Sequence, residues 1–135
     1  MALYSYLDAS AIVKLIAAEP ETSALEHTLA HRDGLLTSRL SVVEVQRAVR
    51  RAANRKLIQR VDDVLEAFVL VEVSASILGA AGSVGPTTLR SLDAIHLATA
   101  LSLHLDDPAT LEFISYDDRL ANAAKAEGLQ VNRPQ

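Results

Sequence analysis

The apolar residues change period several times along the chain, and each change marks an element. Leu3-Tyr4-Ser5-Tyr6-Leu7 alternates and is β-prone, which predicts a first strand ending at Asp8. Ile12, Val13, Leu15 and Ile16 then recur at helical spacing, and Glu19-Pro20 closes that helix. Thr22 is placed to cap a second helix with Leu25 and Leu29 inward, followed by Gly34 as its C′ residue. Leu35-Leu36-Thr37 predicts a short buried strand. Ser41 opens a helix with apolar positions Val42, Val45, Val49 and Ala53, and a further helix carries Val61, Val64, Leu65 and Phe68. Residues 69–73 read as extended, 75–81 as a short helix, and 82–86, rich in Gly, Ser and Pro, as a loop. A helix over 92–105, a strand over 111–115, a helix over 119–127 stopped by Gly128, and a terminal strand over 129–131 complete the pattern.

Strands separated by helices imply parallel pairing, with crossover helices on both faces of the sheet. The expected architecture is therefore α/β, three layers with a central, mostly parallel sheet, and a single domain over 1–135. In such sheets ligands bind at the carboxyl ends of the strands.

Composition narrows the chemistry. The chain is 50% hydrophobic but only 4% aromatic, so Ala, Leu, Val and Ile must build the core. There is no Cys, which excludes disulfides, thiolate catalysis and Cys-ligated metal. No apolar run is long enough to span a bilayer, and the N-terminus lacks the pattern of a signal peptide, so no membrane partner and a cytoplasmic location are expected. The net charge of −4 argues against a nucleic-acid binder unless positive charge is concentrated locally.

Four acidic segments lie where an apolar run gives way to a helical one: Leu7-Asp8-Ala9-Ser10, Ser41-Val42-Val43-Glu44, Ser91-Leu92-Asp93-Ala94 and Ser115-Tyr116-Asp117-Asp118. Helix capping accounts for each separately. Asp8 and either Asp117 or Asp118 are suitable N-caps, Ser41 with Glu44 makes a capping box, and Asp93 suits the first turn of a helix dipole. Capping does not account for all four together, because Ser, Thr or Asn would serve as well. Four acids at one sheet edge repel one another unless a cation lies between them, and Mg2+ or Mn2+ prefers oxygen ligands of this kind.

Those segments resemble, in order, the motifs of PIN-domain ribonucleases, specifically VapC-type toxins of bacterial toxin–antitoxin pairs. Tyr6-Leu7-Asp8-Ala9-Ser10 is similar to the opening motif, Thr37 through Val45 to the second, Leu92-Asp93-Ala94-Ile95-His96-Leu97-Ala98 to the third, and Phe113 through Leu120 to the fourth. The resemblance covers essentially the whole chain. It implies a PIN-like fold and a Mg2+- or Mn2+-dependent endoribonuclease that leaves 5′-phosphate and 3′-hydroxyl ends. Asp8, Glu44, Asp93 and Asp117 would be its metal-binding quartet, with Ser10 supporting the site by hydrogen bonding. Ser115 stands where the family often has Thr and keeps the hydroxyl. The spacing from Ser115 selects Asp117 as the fourth acid and leaves Asp118 as helix cap or outer support. The resemblance also implies a small VapB-like antitoxin, seated on part of the first two helices and the segment after Glu44, and a homodimer.

On this reading the cation lowers the pKa of a water that attacks the phosphodiester in line, and Glu44 ligates the ion or orients the water. His96, one turn beyond Asp93, is read as a packing or hydrogen-bonding residue, and His27, His31 and His104 suggest no site. Arg47, Arg50, Arg51, Arg55, Lys56 and Arg60 crowd one stretch. Arg47, Arg51 and Arg55 share a helical stripe that is either a solvated face or a phosphate-contacting surface, and Arg39 and Arg90 are further candidates for RNA contact. Two other readings compete. A receiver-like phosphoacceptor needs a Lys at a late strand end, whereas Lys125 falls inside the last predicted helix. A non-catalytic PIN-like binding module has no use for an intact quartet.

Overall fold

The structure, a computed structural model, describes residues 2–52, 54–104 (the side chain of His104 excepted) and 110–135. The expected helical position Ala53 and the helix end at Leu105 lie outside the described residues.

The elements run β1 (Tyr4–Leu7), α1 (Ala9–Ile16), α2 (Thr22–Leu29), β2 (Gly34–Ser38), α3 (Leu40–Arg51), α4 (Arg55–Leu65), β3 (Phe68–Val71), α5 (Ala75–Ala81), α6 (Ser91–His104), β4 (Leu111–Ile114), α7 (Asp118–Ala126) and β5 (Gln130–Asn132). The strands form one sheet in the order β3-β2-β1-β4-β5, and every pairing is parallel.

Alternation along the strands feeds two cores. Leu7 and Ile114 face one side with Ile12 and Ile16 of α1, Val45 and Val49 of α3, and Val61 and Leu65 of α4. Tyr6, Leu111 and Phe113 face the other with Leu97 of α6 and Leu120 and Ala124 of α7. Because parallel crossovers keep one hand, helices before and after a reversal of strand order fall on opposite faces. Here the strands are added outward from β1 through β2 to β3, and then on the other side of β1 as β4 and β5. The β1/β4 boundary is thus the switch point at which such sheets open a crevice.

Four local expectations need correction. Gly34 is the first residue of β2 rather than a C′ residue, paired in register with Tyr4. A Cβ there would come within 2.8 Å of the Tyr4 ring, so the glycine makes room for an aromatic lying across it. Phe68 continues the spacing of α4, but the helix ends at Leu65 and Phe68 begins β3 opposite Leu35. Thr22 is the first residue of α2 and not its cap; its hydroxyl donates to the Lys14 carbonyl at 2.7 Å and accepts from the Glu19 amide at 2.9 Å. Ser41 does not cap α3, because its hydroxyl bonds that of Thr37 at 2.7 Å; at the entry to α3 the Leu40 amide donates to the Ser38 hydroxyl at 3.1 Å. Gly128 ends α7 as expected: it has φ 93°, and the Gly128 and Leu129 amides return to Lys125 and Ala124 carbonyls, a Schellman closure. Among the described residues no helix is long and apolar enough to cross a membrane.

Candidate active site

Asp8 follows the last residue of β1, and Ser115, Tyr116 and Asp117 follow the end of β4 beside it, at the switch point. Asp8 is 3% exposed. Its Oδ1 accepts from the Ser10 hydroxyl at 2.7 Å and from the Ala11 amide at 3.1 Å, so it caps α1 as well as occupying the site. Its Oδ2 accepts from the Ser115 hydroxyl at 2.7 Å. The two serines also cross-tie the strand ends. The Tyr116 amide donates to Ser10 Oγ at 3.0 Å, and the Asp117 amide donates to Ser115 Oγ at 3.1 Å. Asp117 caps α7 by accepting from the Leu120 amide at 3.0 Å.

The second and third acids arrive on helices. Glu44, in α3, makes no capping-box bond. Its Oε1 lies 2.6 Å from Nε2 of His96 in α6, and Nδ1 of that ring lies 2.8 Å from the Tyr6 hydroxyl. His96 is thus the hydrogen-bonding residue expected, and both ring nitrogens are engaged, so it is not an open ligand. Burial lifts the Tyr6 hydroxyl pKa well above its ordinary value.

Electrostatics join the four carboxylates. Burial raises the Asp8 pKa, offset in part by the Ser10 hydroxyl, the His96 ring, the Ser115 hydroxyl and the Ala11 amide. Burial also raises that of Asp93, and the negative charges of Asp117, Asp8 and Glu44 raise it further against the pull of His96. Sequence-distant acids therefore act on one another at a single sheet edge. Asp118 is turned elsewhere: it is the first residue of α7 rather than its cap, its side chain is 82% exposed, and it pairs with Arg133 at 2.6 Å.

Among the described residues no three or more acidic or histidine side chains form a ready ligand group for a metal ion. The donor set nevertheless fits a hard divalent cation held through one or two carboxylates, with water and substrate phosphate completing its shell. The raised carboxyl pKa values fit as well, because a cation there supplies the counter-charge that burial leaves missing at Asp8 and Asp93 and relieves the repulsion on Asp93.

A cleft of about 380 Å3 adjoins Glu44 and Ser10. Ser10, Glu44, Arg47 and Arg51 contribute its polar wall, and Val13, Val43 and Leu92 its apolar one. Arg47 and Arg51 thus line the cleft with Glu44, whereas Arg55, expected on the same stripe, begins α4. The other basic candidates are placed differently. Arg39 pairs with Glu72 at 2.6 Å, Arg60 donates to the carbonyls of Ile16 and Leu15 at 2.7 and 3.2 Å, and Arg90 is exposed just before α6. The contact that sequence reasoning did not specify is His96 to Glu44. Its trace in the sequence is a polar residue one turn after Asp93, set in the apolar stretch Ala94 to Ala98.

Residues 5–126 match the family model for the PIN domain. Ribonuclease VapC46 of Mycobacterium tuberculosis is 41% identical over 135 residues, covering 96% of each chain. Ribonuclease VapC35 of the same species is 42% identical over 131 residues, again covering 96% of each. Among solved structures, VapC20 of Mycobacterium tuberculosis, a sarcin–ricin loop cleaving toxin, superposes with a TM-score of 0.74 over 96% of this chain and 99% of its own, at 14% identity. The VapBC2 structure from Rickettsia felis, bound to a promoter DNA fragment, gives 0.72 over 98% and 100% at 13% identity. The two structures share the fold, and the close relatives share the sequence along nearly its whole length. The chain belongs to the PIN-domain family, in its VapC branch.

Proposed function

We propose that the protein is an endoribonuclease that hydrolyses RNA phosphodiester bonds with Mg2+ or Mn2+, the toxin of a toxin–antitoxin pair whose action arrests translation and growth. One observation carries this reading: Asp8 is buried at the switch point, its side-chain hydrogen bonds among the described residues come from neutral groups, and three more acids act on the same space.

Asp8, with Asp93 and Asp117, would hold the cation. Ser10, Ser115 and the Ala11 amide fix the Asp8 carboxylate, and Oδ2, which accepts one bond against two at Oδ1, keeps further acceptor capacity. Once bound, the ion offsets phosphate charge and makes hydroxide available near neutral pH. Glu44 orients the attacking water. Arg47 and Arg51 hold the RNA backbone beside the acids, which lets a chain of net charge −4 engage a polyanion. Val13, Val43 and Leu92 give the same cleft an apolar wall suited to the tail of a small VapB-like antitoxin, and the protein acts as a homodimer.

Incubating the purified protein with RNA and Mg2+ or Mn2+, then mapping new 5′ ends, tests the reading. Metal-dependent cleavage is expected, lost on chelation and in a folded Asp8→Asn, Asp93→Asn variant. Full cleavage by that folded variant overturns it.

A further inference from the structure

Glu44 differs from the other three acids in how it is held. Asp8 and Asp117 are fixed by capping bonds at strand ends, and Asp93 sits in the first turn of α6. Glu44 has a longer side chain, lies in a helix that makes no side-chain cap bond, and is 18% exposed. Its hydrogen bond among the described residues is to His96, which is 1% exposed. A carboxylate only accepts, so the shared proton belongs to Nε2 whatever the charge on the ring.

Behind the ring the support continues inward. The Tyr6 hydroxyl meets Nδ1 at 2.8 Å, and the two rings meet edge-on at 73° with centroids 5.9 Å apart. Tyr6 is stacked on Phe113, its register partner in β4, with centroids 5.5 Å apart and planes within 8°. A continuous file of four side chains thus runs from the centre of the sheet to the cleft. Each is fixed by the one before, and Glu44 is the last. Held at Oε1, Glu44 keeps Oε2 without a hydrogen bond among the described residues.

We propose that His96 is the positioning residue of this site, its Nε2–H holding Glu44 by one carboxylate oxygen so that the other serves the reacting centre, with Tyr6 bracing the ring. The inference rests on the ribonuclease reading for its catalytic consequence but not for the contact itself. A histidine that only filled the core would tolerate an apolar replacement of similar volume, and its loss would add to that of Glu44 rather than overlap it.

Two measurements separate these cases. In metal-free protein with 15N-labelled histidine, the spectrum of His96 is expected to show a protonated Nε2 whose hydrogen exchanges slowly, and exchange is expected to quicken in Glu44→Ala. A bare Nε2 overturns the proposal. In RNA cleavage, His96→Leu is expected to lower kcat about 10- to 100-fold with KM unchanged, His96→Gln to recover most of that loss, and Tyr6→Phe to fall between. Combined with Glu44→Gln, both His96→Leu and Tyr6→Phe should cost little more than Glu44→Gln alone. Additive losses overturn the proposal, and the Tyr6→Phe cycle decides it if His96→Leu does not fold. If the wild-type protein cleaves no RNA, the ribonuclease reading fails while the spectrum still decides the contact.

Discussion

Two buried carboxylates, one on β4 and one at the end of β1, are treated in opposite ways. Glu112 is 6% exposed, and its partners include a positive charge: Arg32 reaches Oε1 and Oε2 at 2.9 and 3.1 Å, with the Ser5 hydroxyl on Oε1 at 2.7 Å. Asp8 is 3% exposed and is offered two hydroxyls and one amide. A charge buried with its counter-charge is a completed structural pair, and removing one partner exposes the cost of the other. A charge buried among neutral donors still lacks a counter-charge, and at Asp8 burial has raised the pKa accordingly. The same residue class at similar depth thus separates structural from functional roles by its partners.

The sharpest way to break this comparison is to neutralise both acids in turn. Asp8→Asn should lower cleavage about a thousandfold, the several kcal/mol that a lost cation implies, while the protein stays folded. Glu112→Gln should keep the turnover of the folded protein but destabilise it by about 3 kcal/mol, because Arg32 is left buried without its partner. Cleavage assays and denaturant melts on both variants check this, and a Glu112→Gln variant that is stable but inactive would reverse the assignment.

A smaller effect concerns pH. Asp8 and Asp93 have folded pKa values raised above their unfolded ones, so the folded state takes up protons more readily. The stability they contribute is present below the unfolded pKa and is lost as pH rises through the folded one. Metal-free protein should therefore gain stability from these groups as pH falls from neutral toward the ordinary carboxylate range. Thermal melts in chelator should show Asp93→Asn raising the melting temperature at neutral pH and flattening this dependence. Added Mg2+ should stabilise the wild type most at neutral pH.

The smallest effect is on binding. Arg47→Ala and Arg51→Ala should each weaken RNA association without changing the cleavage site, and reduce the slope of log affinity against log salt by about 0.7 for a single strand. Filter binding with a non-cleavable RNA measures it. An unchanged slope would place these two arginines with Arg39 and Arg60, whose charges are engaged by the protein itself.

What the sequence revealed follows from the range of the forces involved. Period-2 and helical spacing are local, so β1, α1, α6 and α7 were legible from Leu3-to-Leu7 alternation and from runs such as Leu97, Ala98 and Leu101. Capping was legible at Asp8 because it sits at a strand-to-helix junction, the same place that makes it a candidate for the site. Spacing misassigns the capping box at Ser41 because Thr37, on β2, takes the hydroxyl, and Gly34 because the Tyr4 ring that requires it lies on another strand. The Glu44 to His96 contact spans 52 positions, and no local spacing carries it.

The cross-tie made by Ser10 and Ser115 joins the ends of β1 and β4 through side-chain hydrogen bonds. Ser115 accepts from an amide of its own loop while donating to Asp8, and Ser10 does the same in the opposite direction, so the ends of β1 and β4 move as one body. Asp8 and Asp117 ride on that body. Glu44 takes its place separately, from the His96 side of the sheet, so the position of two of the acids and that of the third are set by independent hydrogen-bond networks.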